Sequence, residues 1–319
     1  MISKDINLAV SILQQEGIIG FPTETVYGLA GNIFSEKAVK QIYEVKQRPM
    51  FNPLIAHLKG IEQIDTVATQ IPGKAYQLAE AFWPGPLTLV LEKQAHIPDW
   101  ITAGKSTVAL RVPAHPMALA LLKQLDFPLA APSANPFRTV SPTSAVHVEN
   151  YFADQLPLVL DGGECQRGIE STIIGFENQQ PVLYRHGSIT VEEIETVIGP
   201  LLVKNQNNEA PEAPGMLLKH YSPATKFILT DDIESIIENR IEQKIGLITL
   251  NRTITHPAVN TCIPLSLQAN LAEAAANLYA TMHQLDRLGL DLIIAEYMPD
   301  TGLGRSMNDR MKRASYQYQ

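Results

Sequence analysis

Residues 17–28 read GIIGFPTETVYG, an apolar run followed by a proline, two threonines and a glutamate. The apolar part predicts a buried strand over residues 17–21. Thr23, Glu24 and Thr25 follow where that strand ends, a position at which polar side chains often form the edge of a site. A threonine and a glutamate before an apolar run are also typical of a helix-capping box. Both interpretations of this segment stay open on the sequence alone.

Similar short runs continue along the chain as far as about Gly199 and alternate with helical patterns, which predicts an α/β or α+β domain with a mixed sheet. The helix that Ser35 can cap must end near Gln47, because Pro49 forces Arg48 towards an extended conformation. The further predicted strands are Pro53–Leu58, Leu87–Leu91, Thr107–Val112, Pro128–Ala131, Leu158–Leu160, Ser171–Phe176 and Val182–Arg185.

A polar stretch rich in asparagine and proline, KNQNNEAPEAPG at 204–215, interrupts these patterns and predicts an interdomain linker. Beyond it, three apolar runs alternate with three helical patterns, so we expect a second, small α/β domain. We therefore predict domains at 1–203 and 225–319, joined by a linker at 204–224. The strands predicted in the second domain are Lys226–Thr230, Gly246–Leu250 and Leu292–Ala295, and the helices are Asp232–Gln243, Asn270–Leu288 and Gly304–Ala314.

Composition excludes several classes of protein. With 319 residues, 45% of them hydrophobic and 18% charged, the chain can bury a substantial core. The net charge of −8 argues against a broad basic surface for nucleic acid. Cys165 and Cys262 lie far apart, and the eight histidines lack the spacing of a zinc site, so no protein-bound metal is expected. We predict a cytoplasmic protein without a membrane segment or a signal peptide.

Two cations, Lys46 and Arg48, stand at the end of the first predicted long helix. A lysine and an arginine together supply the point charge and the planar fork that phosphoryl oxygens require. They could instead only complement the helix dipole. A resemblance of Gly104-Lys105-Ser106 to a phosphate-binding P-loop fails, because Asp99 stands where that motif needs glycine.

Two later predicted strands also carry polar or small residues that could form part of a binding site. Arg111 lies within a predicted strand, on the same face as Thr107, and must face either solvent or an anionic ligand. Residues 131–135 (APSAN) end another strand in small side chains that permit close approach of a ligand, although they could form a plain proline-rich turn. Ser141, Glu170 and Arg185 lie near the ends of further elements and could be surface residues.

Taken together, these segments resemble the YrdC/Sua5 family of threonylcarbamoyl-adenylate synthases, in its longer two-domain Sua5 form. The combination of Lys46 and Arg48 with Ser133 and Asn135 is the most specific part of the resemblance; Ser222 stands in place of the family's usual alanine. The matching segments are FPTETVYGLA (21–30), FWPGPLTLV (82–90), APSAN (131–135), SPTSA (141–145), DGG (161–163), GIESTII (168–174), PGM (214–216) and HYSP (220–223).

The resemblance implies a twisted α/β fold around a large, open, positively charged cavity, and a smaller Rossmann-like C-terminal domain. It implies that Lys46 and Arg48 are catalytic, with Lys46 near the phosphates and no protein metal ligand. The residues implied to bind threonine are Thr25, His57, Arg111, Ala131 and Ser171. Those implied to bind ATP are Arg48, Asn52, Thr107, Ser133, Asn135, Ser141, Arg185 and Tyr221.

The implied reaction joins threonine, bicarbonate and ATP into threonylcarbamoyl-AMP and diphosphate, with Mg²⁺ bound through the phosphates. The linker carrying His220 and Tyr221 would then act as a lid. The implied partner is a TsaD/Kae1-type transferase that modifies tRNA, with weak tRNA binding as a further expectation. The alternatives are a double-stranded RNA-binding module, against which the net charge counts, and carbamoyl-adenylate chemistry, whose known proteins carry zinc-finger regions that are absent from this sequence.

Overall fold

The structure is a computed structural model that describes residues 1–204, 220–238, 240 and 242–315. Most of the predicted linker, including the PGM segment at 214–216, lies outside these residues. No helix within the described ranges is both long and apolar enough to cross a bilayer.

Eleven strands of the N-terminal part form one mixed sheet in the order β1-β8-β2-β3-β7-β4-β6-β5-β9-β10-β11. The strands are β1 (Ile2–Ser3), β2 (Ile19–Phe21), β3 (Gly28–Asn32), β4 (Ile55–His57), β5 (Leu87–Glu92), β6 (Thr107–Arg111), β7 (Leu129–Ala130), β8 (Val159–Leu160), β9 (Thr172–Glu177), β10 (Gln180–Arg185) and β11 (Leu202–Val203). The α-helices are α1 (Ile6–Gln14), α2 (Glu36–Lys46), α3 (Ile64–Val67), α4 (Gly73–Phe82), α5 (Asp99–Thr102), α6 (Pro116–Leu122), α7 (Ala145–Phe152) and α8 (Val191–Ile198). Two short 3₁₀ helices cover Ile61–Gln63 and Ala153–Gln155.

The C-terminal part forms a parallel four-stranded sheet in the order β12-β15-β13-β14. Its strands are β12 (Phe227–Thr230), β13 (Ile245–Thr249), β14 (Val259–Pro264) and β15 (Leu292–Glu296), and its helices are α9 (Ile233–Glu238), α10 (Leu271–Asp286) and α11 (Leu303–Ser315). The predicted α/β class of both parts is confirmed. Strand β14 was not predicted, because polar side chains interrupt its sequence VNTCIP. In the structure most of its residues are partly exposed.

Helix α2 has the ends that the sequence predicts. The side chain of Ser35 accepts a hydrogen bond from the backbone of Ala38 at the N-terminus. Gln47 ends the helix in the left-handed region with φ of 53°. Strand β3 was missed, because its sequence GLAGN has no β-branched residue; it pairs antiparallel with β2 and returns the chain from the polar segment.

The two parts share a hydrophobic core. Val26, Val140 and Ile169 of the N-terminal part pack in one cluster with Tyr221 and with apolar residues of α10 and α11. Because this cluster is continuous across the boundary, the second domain is packed directly against the loops that follow the strands of the first.

Candidate active site

A cavity lies where the loops at one edge of the large sheet meet the C-terminal part. Its free volume is about 50 Å³, whereas sites for small-molecule ligands usually measure about 300–1,000 Å³. This differs from the expected large open cavity, because His220 and Tyr221 lie against its wall and both are buried. The lining residues are Thr23, Thr25, Val26, Gly28, Arg48, Ile55, His57, Arg111, Ala131, Pro132, Ser133, Glu170, Ser171, Arg185, His220 and Tyr221.

The polar segment after β2 is a wall of this cavity. No helix begins at residues 23–25, so the capping-box interpretation is wrong. The Thr23 hydroxyl instead donates to the carbonyl of Val26 at 2.6 Å and lies 2.8 Å from the Thr25 hydroxyl. This local turn directs Thr25 towards β6.

Arg111, at the end of β6, is buried and paired, so it does not face solvent. Its guanidinium donates to Glu24 Oε1 at 2.6 Å, to Thr25 Oγ1 at 2.9 Å and to the carbonyl of Gly85 at 3.2 Å. Each terminal nitrogen makes one of these contacts with described residues and carries a second N–H. Arg111 is therefore held rigidly with donors left for an anionic ligand.

Lys46 and Arg48 are also buried, which excludes a role confined to the exposed end of a helix dipole. The Lys46 ammonium contacts the carbonyl oxygens of Ser133 and Asn135, so it ties α2 to the APSAN segment. Arg48 donates to the carbonyls of Asn52 and Pro53 at 3.2 and 3.0 Å. A plain proline-rich turn at residues 131–135 would not explain why the Lys46 ammonium binds two of its carbonyl oxygens.

Among the described residues, no carboxylate acts as a counter-charge to Lys46 or Arg48. Burial, with the charge of Arg48 as a second cause, holds the pKa of Lys46 well below its usual value. Burial and the nearby Arg185 also lower the pKa of Arg48, to about 10. A polyanion bound here would relieve both effects, since it supplies the missing negative charge.

Several buried polar atoms around the cavity have no hydrogen-bond partner among the described residues. These are both side-chain amide atoms of Asn52, Oδ1 of Asn135, and Nδ1 of His57 and of His220. Such atoms cost free energy unless a ligand or water satisfies them. Burial, reinforced by Arg111, lowers the pKa of His57 to about 3, so its imidazole is neutral at neutral pH.

Ser171 and Arg185 also line the cavity and contact each other. The Ser171 hydroxyl lies 2.7 Å from that of Thr88, and Arg185 Nη2 donates to the carbonyl and the hydroxyl of Ser171 at 2.9 and 3.1 Å. Arg185 is therefore a buried residue of the site and not part of the outer surface.

The structure brings most of the sequence-predicted site residues to one place. Thr25, Arg48, His57, Arg111, Ala131, Ser133, Ser171, Arg185 and Tyr221 line the cavity. The others do not line it: Lys46, Asn52 and Asn135 are buried behind the wall, Ser141 donates to Glu170 at 2.6 Å, and Thr107 begins β6. Thr107 lies on the same face of the strand as Arg111, roughly 13 Å away.

Sequence reasoning missed the roles of two carboxylates. Glu24 was treated as a possible helix cap, yet it pairs with Arg111. Glu170 was treated as a possible surface residue, yet it is buried and accepts hydrogen bonds from both parts of the chain. An arginine placed within an apolar strand was the available signal, because burial of its charge demands a carboxylate partner.

Comparisons with known proteins match both parts of the chain. The Sua5/YciO/YrdC family model, described as "Telomere recombination", matches residues 11–187. A second model, "Threonylcarbamoyl-AMP synthase, C-terminal domain", matches residues 189–315.

Relatives of similar length resemble the whole chain. A threonylcarbamoyl-AMP synthase of Pyrococcus abyssi is 40% identical, covering 97% of this chain and 94% of the relative. One from Bacillus subtilis is 38% identical, over 96% and 92% of the two chains. The crystal structure of P. abyssi Sua5 complexed with L-threonine superposes with a TM-score of 0.90, over 98% of this chain and 94% of that one. The chain therefore belongs to the YrdC/Sua5 family of threonylcarbamoyl-AMP synthases, in its two-domain Sua5 form.

Proposed function

We propose that this chain makes threonylcarbamoyl-AMP and diphosphate from threonine, bicarbonate and ATP, for the synthesis of threonylcarbamoyladenosine in tRNA. The observation that carries the proposal is the convergence of three buried arginines, Arg48, Arg111 and Arg185, on one cavity, with Lys46 buried behind its wall. Buried charges need partners that offset the loss of their hydration, and an anionic ligand would supply such a partner here.

We assign threonine to the side of the cavity formed by Thr25, His57 and Arg111, with Ala131 and Ser171 completing the wall. The N–H groups of Arg111 that have no partner among the described residues suit a carboxylate, and the neutral His57 can bond the ligand without adding charge. The P. abyssi relative that was crystallised with L-threonine supports this choice of ligand.

We assign ATP to the side of the cavity formed by Arg48 and Arg185, with Lys46 buried behind it. Its predicted partners are Arg48, Asn52, Thr107, Ser133, Asn135, Ser141, Arg185 and Tyr221. Both side-chain amide atoms of Asn52 and Oδ1 of Asn135 have no partner among the described residues, which supports this assignment, since a nucleotide could satisfy them. Among the described residues no three His, Cys, Asp or Glu side chains form a metal site. We therefore assign Mg²⁺ to the phosphates of ATP, where it would neutralise part of their charge.

In the proposed reaction the threonine amine captures CO2 derived from bicarbonate and becomes a carbamate. A carbamate oxygen then forms a bond to the α-phosphorus of ATP as the bond to diphosphate breaks. The proposed reaction requires no covalent nucleophile from the protein. The enzyme would therefore accelerate it by holding the substrates close together and by stabilising the negative charge that develops. Lys46 and Arg48 would stabilise the negative charge that grows on the departing phosphates.

Access to the site requires the segment at His220 and Tyr221 to move. The present cavity is too small for ATP, and both side chains line it. We propose that this end of the linker is a lid that opens for substrates and then excludes water from the labile product. The last strand of the first sheet ends at Val203 and β12 begins at Phe227, which supports the proposed boundaries at 204–224.

We propose that the product passes to a TsaD/Kae1-type tRNA threonylcarbamoyltransferase in the cytoplasm, with at most weak tRNA binding by this chain. Both cysteines are free thiols, as suits a reducing compartment.

The direct test is diphosphate release from ATP by the purified chain with Mg²⁺ and bicarbonate. Threonine, serine and no amino acid should be compared, for the wild type and for Arg48→Ala. We expect threonine-dependent release, reduced at least tenfold in the variant, because a charge-assisted contact contributes about 1.5–3 kcal/mol. Release that ignores the amino acid contradicts the proposal. Salt-sensitive RNA binding without ATP turnover would favour the RNA-binding alternative.

A further inference from the structure

A buried carboxylate, Glu170, lies at the boundary between the cavity and the C-terminal domain. It lines the cavity and is only 5% exposed. Its oxygens accept from Ser141 Oγ at 2.6 Å, from the Tyr279 hydroxyl at 3.1 and 3.2 Å, and from Arg310 Nε at 2.9 Å. Ser141 belongs to the first domain, whereas Tyr279 and Arg310 belong to helices α10 and α11 of the second.

Arg310 connects more than this one carboxylate. Its side chain is fully buried and does not line the cavity. Besides Glu170, Nη2 donates to the carbonyl of His186 at 2.7 Å and Nη1 to Asp309 at 2.7 Å. The guanidinium also lies 5.1 Å from the centre of the Tyr221 ring, within the range of a cation–π contact.

Three of these contacts, those with Glu170, His186 and Tyr221, lead to residues proposed to bind ATP. Through Glu170, Arg310 holds Ser141. Through the carbonyl of His186, it fixes the backbone directly after Arg185. Through its planar face, it supports Tyr221. A single side chain of the second domain thus contacts the neighbours of three groups that come from distant parts of the sequence.

We propose that Arg310 is a positioning residue for ATP, and that with Glu170 it is the connection through which the C-terminal domain assembles the nucleotide site. The inference rests on the proposed assignment of Ser141, Arg185 and Tyr221 to ATP. Arg310 touches no substrate and acts by fixing the groups that do.

The charge states fit this role. Burial raises the pKa of Glu170, but the positive charges of Arg310 and Arg185 outweigh this effect. The pKa of Glu170 therefore lies below its usual value. A buried ion pair is no more stabilising than well-packed apolar residues of similar volume. A purely structural link between domains would therefore not require one, whereas the hydrogen bonds of this pair can orient several polar groups at once.

The test uses Arg310→Met, which keeps an unbranched apolar stem but removes the charge and the fork of the guanidinium. The matched control is Arg305→Met on the same helix. Arg305 also contacts the first domain, because it donates a hydrogen bond to Glu192 at 2.6 Å. Its side chain, however, is 37% exposed and does not line the cavity. Diphosphate release should be measured with ATP and threonine varied separately, alongside the thermal midpoint.

We expect Arg310→Met to raise the KM for ATP at least tenfold and the KM for threonine less than threefold, with Arg305→Met close to wild type in both. Arg310→Lys should preserve the charge and the fold, but its KM for ATP should stay raised nearly as far as in Arg310→Met. An ammonium group lacks the rigid fork that donates to Glu170 and to the carbonyl of His186 at the same time. The Glu170→Gln/Arg310→Met double variant should lose little more than Arg310→Met alone, because both changes break one network.

An equal rise in both KM values, or losses that follow the thermal midpoint alone, would overturn the proposal in favour of a purely structural role. If Arg310→Met does not fold, Arg310→Lys decides the same question. ATP affinity can also be measured by calorimetry, which does not depend on turnover. A wild type that binds ATP but shows no threonine-dependent diphosphate release would refute the proposed reaction, and the ATP affinity of the variants would then decide the role of Arg310.

Discussion

At the scale of single residues, the site is organised before a ligand arrives. Glu24 and Thr25 hold the guanidinium of Arg111 in one orientation, at 2.6 and 2.9 Å. Preorganised donors need no rearrangement when the ligand binds, so the geometry of the fork matters as much as its charge.

Arg111→Lys preserves the charge but loses the fork. We expect the KM for threonine to rise about 10- to 100-fold, from the loss of about 1.5–3 kcal/mol of charge-assisted hydrogen bonding, with a smaller effect on the KM for ATP. Diphosphate-release kinetics with threonine varied would measure this. Arg138→Lys, at an exposed arginine, is the control and should match the wild type. An unchanged KM for threonine would place the carboxylate elsewhere.

At the scale of elements, the site depends on how closely β9 approaches the end of β10. A Cβ atom added at Gly187 would lie 2.3 Å from the backbone carbon of Ser171 and from the nitrogen of Thr172. No side chain fits this contact, so the two backbones must separate if glycine is replaced. Ser171 and Arg185, on the two segments concerned, would move with them.

Gly187→Ala should therefore reduce turnover at least tenfold and lower the free energy of unfolding by about 1–3 kcal/mol, the usual cost of overpacking. Gly73→Ala in α4 is the matched control, because a Cβ there would meet no atom within 4 Å. Urea unfolding and diphosphate release measure the two effects. Wild-type activity in Gly187→Ala would show that the strand spacing is unimportant to the site.

At the scale of the whole molecule, the docking of the two domains should depend on pH. His147 on α7 and His283 on α10 stack across the boundary, with ring centres 4.0 Å apart and planes 24° apart. Burial, reinforced by the neighbouring positive charges, lowers the pKa of His147 to about 3, and burial lowers that of His283 to about 4. Both rings are therefore neutral in the folded chain near pH 7.

In the unfolded chain both rings titrate near pH 6.5, so below that pH the unfolded state binds protons that the folded state does not. Stability should fall as pH drops from 7 to 5, by on the order of 2 kcal/mol for the pair after allowing for the partial exposure of His147. Urea unfolding at both pH values should show a smaller fall for His147→Gln/His283→Gln than for the wild type. Equal falls in the two proteins would contradict this account.

Much of the architecture was predictable from local pattern. The strands with β-branched runs and the two ends of α2 lie where the sequence placed them, because periodicity, capping and proline act over a few residues. Strand β3 was missed because it has no β-branched residue, and strand β14 because polar residues interrupt its apolar ones. Arg310 shares a helical face with Met307 and Ala314, but no local pattern in the sequence indicated its burial or its partners.

The sequence by itself determined the α/β class, the two-domain order and the residue types from which a phosphate and carboxylate site is built. Only the tertiary structure decided which charges pair. Glu24 and Arg111 are 87 residues apart, and Glu170 and Arg310 are 140 apart. Local periodicity specifies which face of an element is buried, whereas the partner of a buried charge depends on how distant elements pack against one another.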